Sequence, residues 1–278
     1  MKSRVKAYAK VNLFLDITGR LENGYHTLNT VMQQVDICDI VTVETVQSGN
    51  ITITCTNPAV PCNEKNIAYK AADAFLSNIG KVCGVSIDIE KNIPLEAGMG
   101  GSSTDGAAVL IALNESFGKP FTTEQLCEIG AGLGADVPFC ILGGTAVCKG
   151  IGEIMTPVLC KKDYVLGIVK PEFSCSTPAA YKAYDENPLP IMKNFDSFVS
   201  ELSAGCESWG GEMYNVFEQL YSNPKIDAIT RIMRENGAVG SILTGSGSAV
   251  FGVFRDKKTA ENALNRLDIP FKIIANPI

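Results

Sequence analysis

The sequence predicts an α+β fold in two domains, and three observations carry that reading. Stretches of period-two alternation recur between Val5 and Ile89, which is the signature of strands with one buried face. A glycine-rich segment within Ile93–Leu113 runs straight into an apolar run of good helix formers. Past Lys161-Lys162-Asp163 the alternation of strands and helices starts afresh, which places a boundary near residue 160 and divides the chain into 1–160 and 161–278.

In order, Val5–Ile17 alternates, with Val5, Ala7, Ala9, Val11, Leu13 and Leu15 on one face and Lys6, Tyr8, Lys10, Asn12 and Phe14 on the other. Asn23-Gly24 is a turn. Ile40–Val46 and Ile51–Cys55 read as a hairpin across Gln47–Asn50. Asn63 is the expected cap of a helix running to about Ser77 and ended by Gly80. Val85, Ile87 and Ile89 form a strand that leads to the glycine loop, whose helix runs to about Phe117. Thr122-x-x-Gln125 is a capping box opening a helix to about Leu133. Two strands, Thr145–Lys149 and Glu153–Val158, close the first domain. The second has a strand Tyr164–Val169, a short helix carrying Tyr181, and helices near Phe195–Leu202, Tyr214–Tyr221 and Ile226–Glu235. Strands Ser241–Leu243 and Ala249–Phe254 flank a glycine turn, and helix Thr259–Leu267 and strand Phe271–Ile274 follow.

Composition excludes several classes. The 278 residues are 46% hydrophobic and 19% charged, with a net charge of −6, which argues against a nucleic-acid surface built on clustered Lys and Arg. Ten cysteines are scattered without a Cys-x-x-Cys pair and there is one histidine, so zinc-type spacing is absent and the thiols read as small buried hydrophobes of a reducing, cytoplasmic setting. The apolar stretch after Lys2, Arg4 and Lys6 is interrupted by Lys10, Asn12 and Asp16, so neither a signal peptide nor a membrane span is expected. A monomer and a homodimer are both compatible with the sequence.

The chemistry concentrates in four places. Gly98, Gly100 and Gly101, then Ser102, Ser103 and Thr104, open directly into a helix, where close-approaching backbone and unpaired N–H groups suit an anion such as phosphate. The plainer reading is a tight connection capped by Ser103 or Thr104. The segment lacks the Gly-Lys-Ser/Thr ending of a Walker A loop, and its glycines are spaced wrongly for a dinucleotide fingerprint. Lys10 and Asn12 point the same way from one strand, roughly 7 Å apart, although a strand lysine is ordinarily a solvated edge charge. Tyr25 and His26 follow the Asn23-Gly24 turn at once; a lone histidine is more often structural. Asp136, in Gly134-Ala135-Asp136-Val137-Pro138-Phe139, stands where an N-cap is expected.

Pro94-x-x-x-Gly98-Met99-Gly100-Gly101-Ser102-Ser103 resembles the phosphate-binding motif of the galactokinase, homoserine kinase, mevalonate kinase and phosphomevalonate kinase (GHMP) superfamily. Met99 stands for the usual leucine, and the extra glycine resembles a variant in one branch, the 4-diphosphocytidyl-2-C-methylerythritol kinases of isoprenoid precursor synthesis. Ala9-Lys10-Val11-Asn12-Leu13-Phe14-Leu15, Gly24-Tyr25-His26-Thr27-Leu28, the Asp136 segment and the turn Thr244-Gly245-Ser246-Gly247-Ser248 are similar to further motifs of the same family, so the resemblance covers nearly the whole chain.

That resemblance implies a ribosomal-S5-domain-2-like N-terminal domain and a ferredoxin-like C-terminal domain, with the active site in the cleft between them. It implies transfer of the γ-phosphate of ATP to the 2-hydroxyl of a cytidine-diphosphate-bearing alcohol. Residues Pro94, Leu95, Glu96, Ala97, Gly98, Met99, Gly100, Gly101, Ser102, Ser103 and Thr104 would hold ATP, with Asn66 near the nucleotide. Lys10 and Asp136 would be catalytic, with Asp136 the base; Asn12, Tyr25, His26 and Tyr181 would hold the acceptor. Mg²⁺ is expected with ATP; Glu96 and Asp105 are candidates for it by position only, and no protein ligand is assigned. A homoserine or mevalonate kinase would share the glycine loop but has no need of Tyr25 and His26, and a nucleotide-binding module without turnover has no need of both Lys10 and Asp136.

Overall fold

The computed structural model describes residues 2–47, 49–220 and 223–278. In chain order the elements are β1 (Lys2–Arg20), β2 (His26–Val46), β3 (Ile51–Cys55), α1 (Ile67–Ile79), β4 (Gly84–Glu90), α2 (Gly101–Ser116), α3 (Thr123–Ala131) and α4 (Val137–Leu142). They continue with β5 (Thr145–Lys149), β6 (Ile154–Pro157), β7 (Val165–Lys170), α5 (Thr177–Glu186), α6 (Phe195–Glu201), α7 (Cys206–Trp209), a 3₁₀ turn (Gly210–Glu212), β8 (Tyr214–Asn215) and α8 (Val216–Leu220). Last come α9 (Pro224–Glu235), β9 (Gly240–Leu243), β10 (Val250–Phe254), α10 (Lys257–Leu264) and β11 (Phe271–Ala275). Among the described residues no helix is long and apolar enough to cross a membrane.

Two compact units emerge. The first holds the chain up to Ala9, Ile37–Ile93 and Gly100–Gly143. In it β2 pairs antiparallel with β4, from Ile40 opposite Glu90 to Val46 opposite Gly84. β4 in turn pairs parallel with β3, from Ile51 opposite Val85 to Cys55 opposite Ile89. The hairpin expected between Ile40–Val46 and Ile51–Cys55 therefore does not form. Alternation identifies a strand but not its partner, and β4, whose Val85, Ile87 and Ile89 are buried, takes the place between the two.

Helix α2 is buried all round, from Thr104 to Leu110 and at Ala112 to Asn114, as a central helix must be. It packs closely on α1: a Cβ added at Gly106 would come within 2.6 Å of Ile67 Cγ2. Phe75 of α1 and Leu110 and Leu113 of α2 join Val41, Val43, Ile87 and Ile89 in this unit's core. α1 is capped by Asn66, whose side chain accepts from Ala68 N–H, not by Asn63. Asn63 instead accepts from Lys65 N–H, so the two asparagines build consecutive local turns and the later one starts the helix. Gly80 ends α1 at φ 62, and both bonds of the Thr122/Gln125 capping box are present.

The second unit holds Lys10–Asp36, Pro94–Met99 and Gly144–Ile278. Its four-stranded antiparallel sheet runs β11-β7-β10-β9. Helix α9 buries Ile226, Ile229, Thr230 and Met233 along one stripe. In the same unit the first part of β2 pairs with β5 through Thr30–Gln33, and β5 pairs with β6. β8 lies parallel to β1, with Phe14 opposite Tyr214. The helix expected over Tyr214–Tyr221 is thus shorter: Tyr214 and Asn215 are spent on this pairing, the helix starts at Val216, and Tyr221 lies outside the described residues.

Candidate active site

In the second unit, the period-two geometry of β1 sets Lys10 and Asn12 side by side. Lys10 Nζ donates to Asn12 Oδ1 at 2.7 Å, Asn12 Nδ2 donates to Thr30 Oγ1 at 2.9 Å, and Thr30 Oγ1 donates to Phe14 O at 2.6 Å. Lys10 is only 4% exposed and Asn12 2%, so the edge-charge reading is excluded. A buried ammonium needs acceptors, and Asn12 is oriented to be one because Thr30 consumes its amide protons.

The Pro94–Met99 part of the glycine loop is held against the same group. Lys10 N–H donates to Met99 O at 3.0 Å, and Asn12 N–H donates to Thr244 Oγ1 at 3.1 Å. Ser248 N–H reaches Glu96 O and Ala249 N–H reaches Ala97 O, each at 3.2 Å. Gly98 takes φ 72 and lies so close that a Cβ there would sit 2.1 Å from Thr244 O. The glycine turn at 244–248 and residues 94–99 are therefore one packed structure, brought together from distant sequence.

The aromatic residues separate. Tyr25 is 59% exposed and His26 is buried, since neighbours on an extended chain face opposite ways. His26 stacks on Tyr181 of α5, with ring centroids 4.8 Å apart and planes at 25°. Its Nε2 lies 2.7 Å from Asp185 Oδ1, and Asp185 Oδ2 also receives Arg20 at 3.3 Å. Tyr184 meets the imidazole edge-on, and Phe217 meets Tyr181 edge-on. Asp185 and Tyr184 join the candidate site by contact; only their place one helical turn from Tyr181 could have marked them.

In the first unit, α2 begins at Gly101 with Gly100 as its N-cap at φ 73, and no side chain caps it. The capping expected of Ser103 or Thr104 is not found: Thr104 Oγ1 donates instead to Tyr8 O at 2.8 Å. The leading N–H groups keep no intrahelical partner, which is the geometry an anion requires. Gly134 borders this turn, since a Cβ there would stand 3.9 Å from Ser103 Oγ. Asp136 occupies the N-cap position of α4 without making a side-chain cap bond, so its carboxylate is not used as the cap that the sequence suggested. Asn66 is buried and spends its amide on Ala68 N–H and Pro61 O.

One cluster was not foreseen. Lys91 Nζ donates to Asp39 Oδ2 at 2.5 Å and to Asp105 Oδ2 at 2.6 Å, with all three side chains at most 4% exposed. Asp39 Oδ1 also accepts from Asn92 N–H at 2.6 Å and Ile93 N–H at 2.8 Å. Asp105 Oδ1 has no hydrogen-bond partner. Burial, most of all, and then the Asp39 charge push the Asp105 carboxyl up to about 7 against the opposing pull of Lys91. Burial pulls the Lys91 ammonium down, but the two carboxylates outweigh it and hold its pKa above the ordinary value. No group of three or more His, Cys, Asp or Glu side chains able to hold a metal occurs among the described residues.

Comparison with known proteins follows the same outline. The family model for the GHMP kinases N terminal domain matches residues 66–144, and that for GHMP kinases C terminal matches residues 193–273. A 4-diphosphocytidyl-2-C-methyl-D-erythritol kinase of Caldicellulosiruptor bescii is 43% identical over 98% of this chain and 96% of its own. One of Clostridium perfringens is 40% identical over 97% of this chain and 94% of its own. A crystal structure of a 4-(cytidine 5'-diphospho)-2C-methyl-D-erythritol kinase superposes with a TM-score of 0.82 at 31% identity, covering 99% of both chains. A homoserine kinase from Cytophaga hutchinsonii, at 18% identity and a TM-score of 0.78, shares the fold. With a packed glycine loop, an uncapped helix start and full-length relatives in agreement, this chain belongs to the GHMP kinases, among the 4-diphosphocytidyl-2-C-methyl-D-erythritol kinases.

Proposed function

We propose that this chain transfers the γ-phosphoryl group of ATP to the 2-hydroxyl of 4-diphosphocytidyl-2-C-methyl-D-erythritol, giving the 2-phosphate and ADP, as a cytoplasmic enzyme of isoprenoid precursor synthesis. The observation that carries this reading is the 43% identity, over nearly the whole chain, to a kinase of that name. Phosphoryl transfer asks for positioning and charge stabilisation more than covalent help, and the groups described suit it. The uncapped first turn of α2, with Ser102, Ser103 and Thr104, offers N–H and hydroxyl donors to phosphate oxygens. In this reading residues 94–99 and Asn66 contact ATP as well. Lys10, buried and steadied by Asn12, offsets charge growing on the transferred group. Asp136 accepts the proton of the attacking hydroxyl.

His26 and Tyr181 already stack with a carboxylate beside them, which suits a cytosine ring, and Tyr25, exposed at the preceding turn, is a further contact for the acceptor in this reading. Mg²⁺ would arrive with ATP, held by phosphate oxygens and water. We further propose the domain division at residue 160, since the two family matches fall on either side of it. The test is ADP release with Mg-ATP and four alcohols: 4-diphosphocytidyl-2-C-methyl-D-erythritol, homoserine, mevalonate and methylerythritol 4-phosphate. Turnover with the first alone is expected; turnover with another in its place would discard the substrate and keep the kinase.

A further inference from the structure

The Asp39, Lys91, Asp105 cluster belongs to no role assigned above, yet it lies beside one. Asp39 grips Lys91, Asn92 and Ile93 together, two by backbone N–H and one by its ammonium, and so fixes the chain where it leaves β4. Lys91 carries that grip across to Asp105, in the second turn of α2. The ammonium also lies against the first residue of the helix, because a Cβ on Gly101 would stand 3.2 Å from Lys91 Nζ.

Stability is a poor explanation for such an arrangement. Removing three charges from water is costly, and a buried ion pair is often no more stable than an apolar replacement of the same shape. A lone lysine buried at this place would shed its proton; two carboxylates keep it charged and hold it still. What the cluster supplies is a rigid anchor against the first turn of α2, a turn that no side chain caps. Asp105 Oδ1, left without a partner, is the sign that the group is built around Lys91 and not for mutual satisfaction.

We propose that Asp39, Lys91 and Asp105 form a positioning triad that holds the first turn of α2 in place for the phosphates of ATP. Lys91 is a positioning residue, acting through the helix start. This rests on the kinase reading and deepens it, since the ligand class is a nucleoside triphosphate recognised by its phosphates and not by its base.

The test uses the full chain, with calorimetric titration of an ATP analogue whose γ-phosphate cannot transfer, and of adenosine by competition. Lys91→Met, which frees the first turn of α2 to shift, is expected to weaken the analogue about tenfold and to leave adenosine within twofold. The KM for the alcohol should stay within twofold. Asp105→Asn, which keeps an acceptor for Lys91, should restore near-native affinity, whereas Asp105→Leu should behave like Lys91→Met. Should Lys91→Met not fold, Asp105→Leu, which leaves the Asp39–Lys91 pair, carries the same expectation. A folded Lys91→Met with unchanged affinity for the analogue, or an equal loss of adenosine, would overturn the triad while native turnover keeps the kinase. Failure of the native chain to bind any adenine nucleotide would remove both.

Discussion

The imidazole of His26 lies flat on the ring of Tyr181, 4.8 Å away, with its Nε2 held 2.7 Å from Asp185. Strand β2 supplies one ring and helix α5 the other, so the face they make is fixed by tertiary packing before any ligand arrives. Stacking on an aromatic side chain is worth ~1–3 kcal/mol per base, or roughly 5- to 150-fold in affinity. Tyr181→Ala should therefore raise the KM for the cytidine-bearing alcohol within that range and leave the KM for ATP within about twofold. Tyr181→Phe keeps the ring and should be near native. An equal rise for both substrates would make the stack a structural contact only.

Asp136 separates two roles that coincide in many proteins. It stands at the N-cap of α4 but its side chain makes no cap bond, so Asp136→Ala should not incur the ~1 kcal/mol that loss of a working cap costs. Its kcat should fall at least about a hundredfold, the range of general-base contributions, with ATP binding retained. Thermal melting and single-turnover rates on the same variant check both halves. A near-normal rate would take Asp136 out of the chemistry; a large fall in Tm would return it to the cap.

Two glycines with similar backbone angles should respond very differently to alanine. Gly118 sits at φ 79 with nothing within 4 Å of an added Cβ, so Gly118→Ala loses only the left-handed preference, about 1 kcal/mol. Gly98 sits at φ 72 with Thr244 O only 2.1 Å from an added Cβ. Gly98→Ala must part the 94–99 segment from the 244–248 turn, and with it the backbone that holds Lys10 and Asn12. Urea denaturation and kcat measured together should show a clearly larger stability loss than Gly118→Ala and a fall in rate that Gly118→Ala lacks.

What was legible in the sequence was local. The alternation of β1 fixed which face Lys10 and Asn12 share, the capping box at Thr122 and the stop at Gly80 appear where their chemistry puts them, and the glycine loop opens its helix. The part of β2 before Ile40 was not legible, because polar residues sit inside it. Thr30, Gln33 and Asp39 are fully buried and break the apolar period. Gln33 is accepted there because Thr145 Oγ1 and Tyr164 OH donate to its Oε1, and neither partner can be inferred from β2 alone. The Lys91 cluster is hidden for the same reason: no spacing rule links Asp39, Lys91 and Asp105, which meet only when three elements pack.

That cluster also gives the chain a signature in acid and base. The Asp105 carboxyl is pushed up to about 7 by burial first and the Asp39 charge next, from an ordinary value near 3.8. Between those values the native state holds a proton that the unfolded chain has released, so this group's part in the unfolding free energy falls as pH rises, by up to about 1.4 kcal/mol per pH unit, and levels off above 7. Asp105→Asn cannot ionise and removes that slope. The unfolding free energy of Asp105→Asn relative to native should therefore rise from pH 5 to pH 7, measured by urea denaturation across roughly that window. A difference that stays constant with pH would mean that Asp105 is ionised throughout, held so by Lys91 against the full cost of its burial.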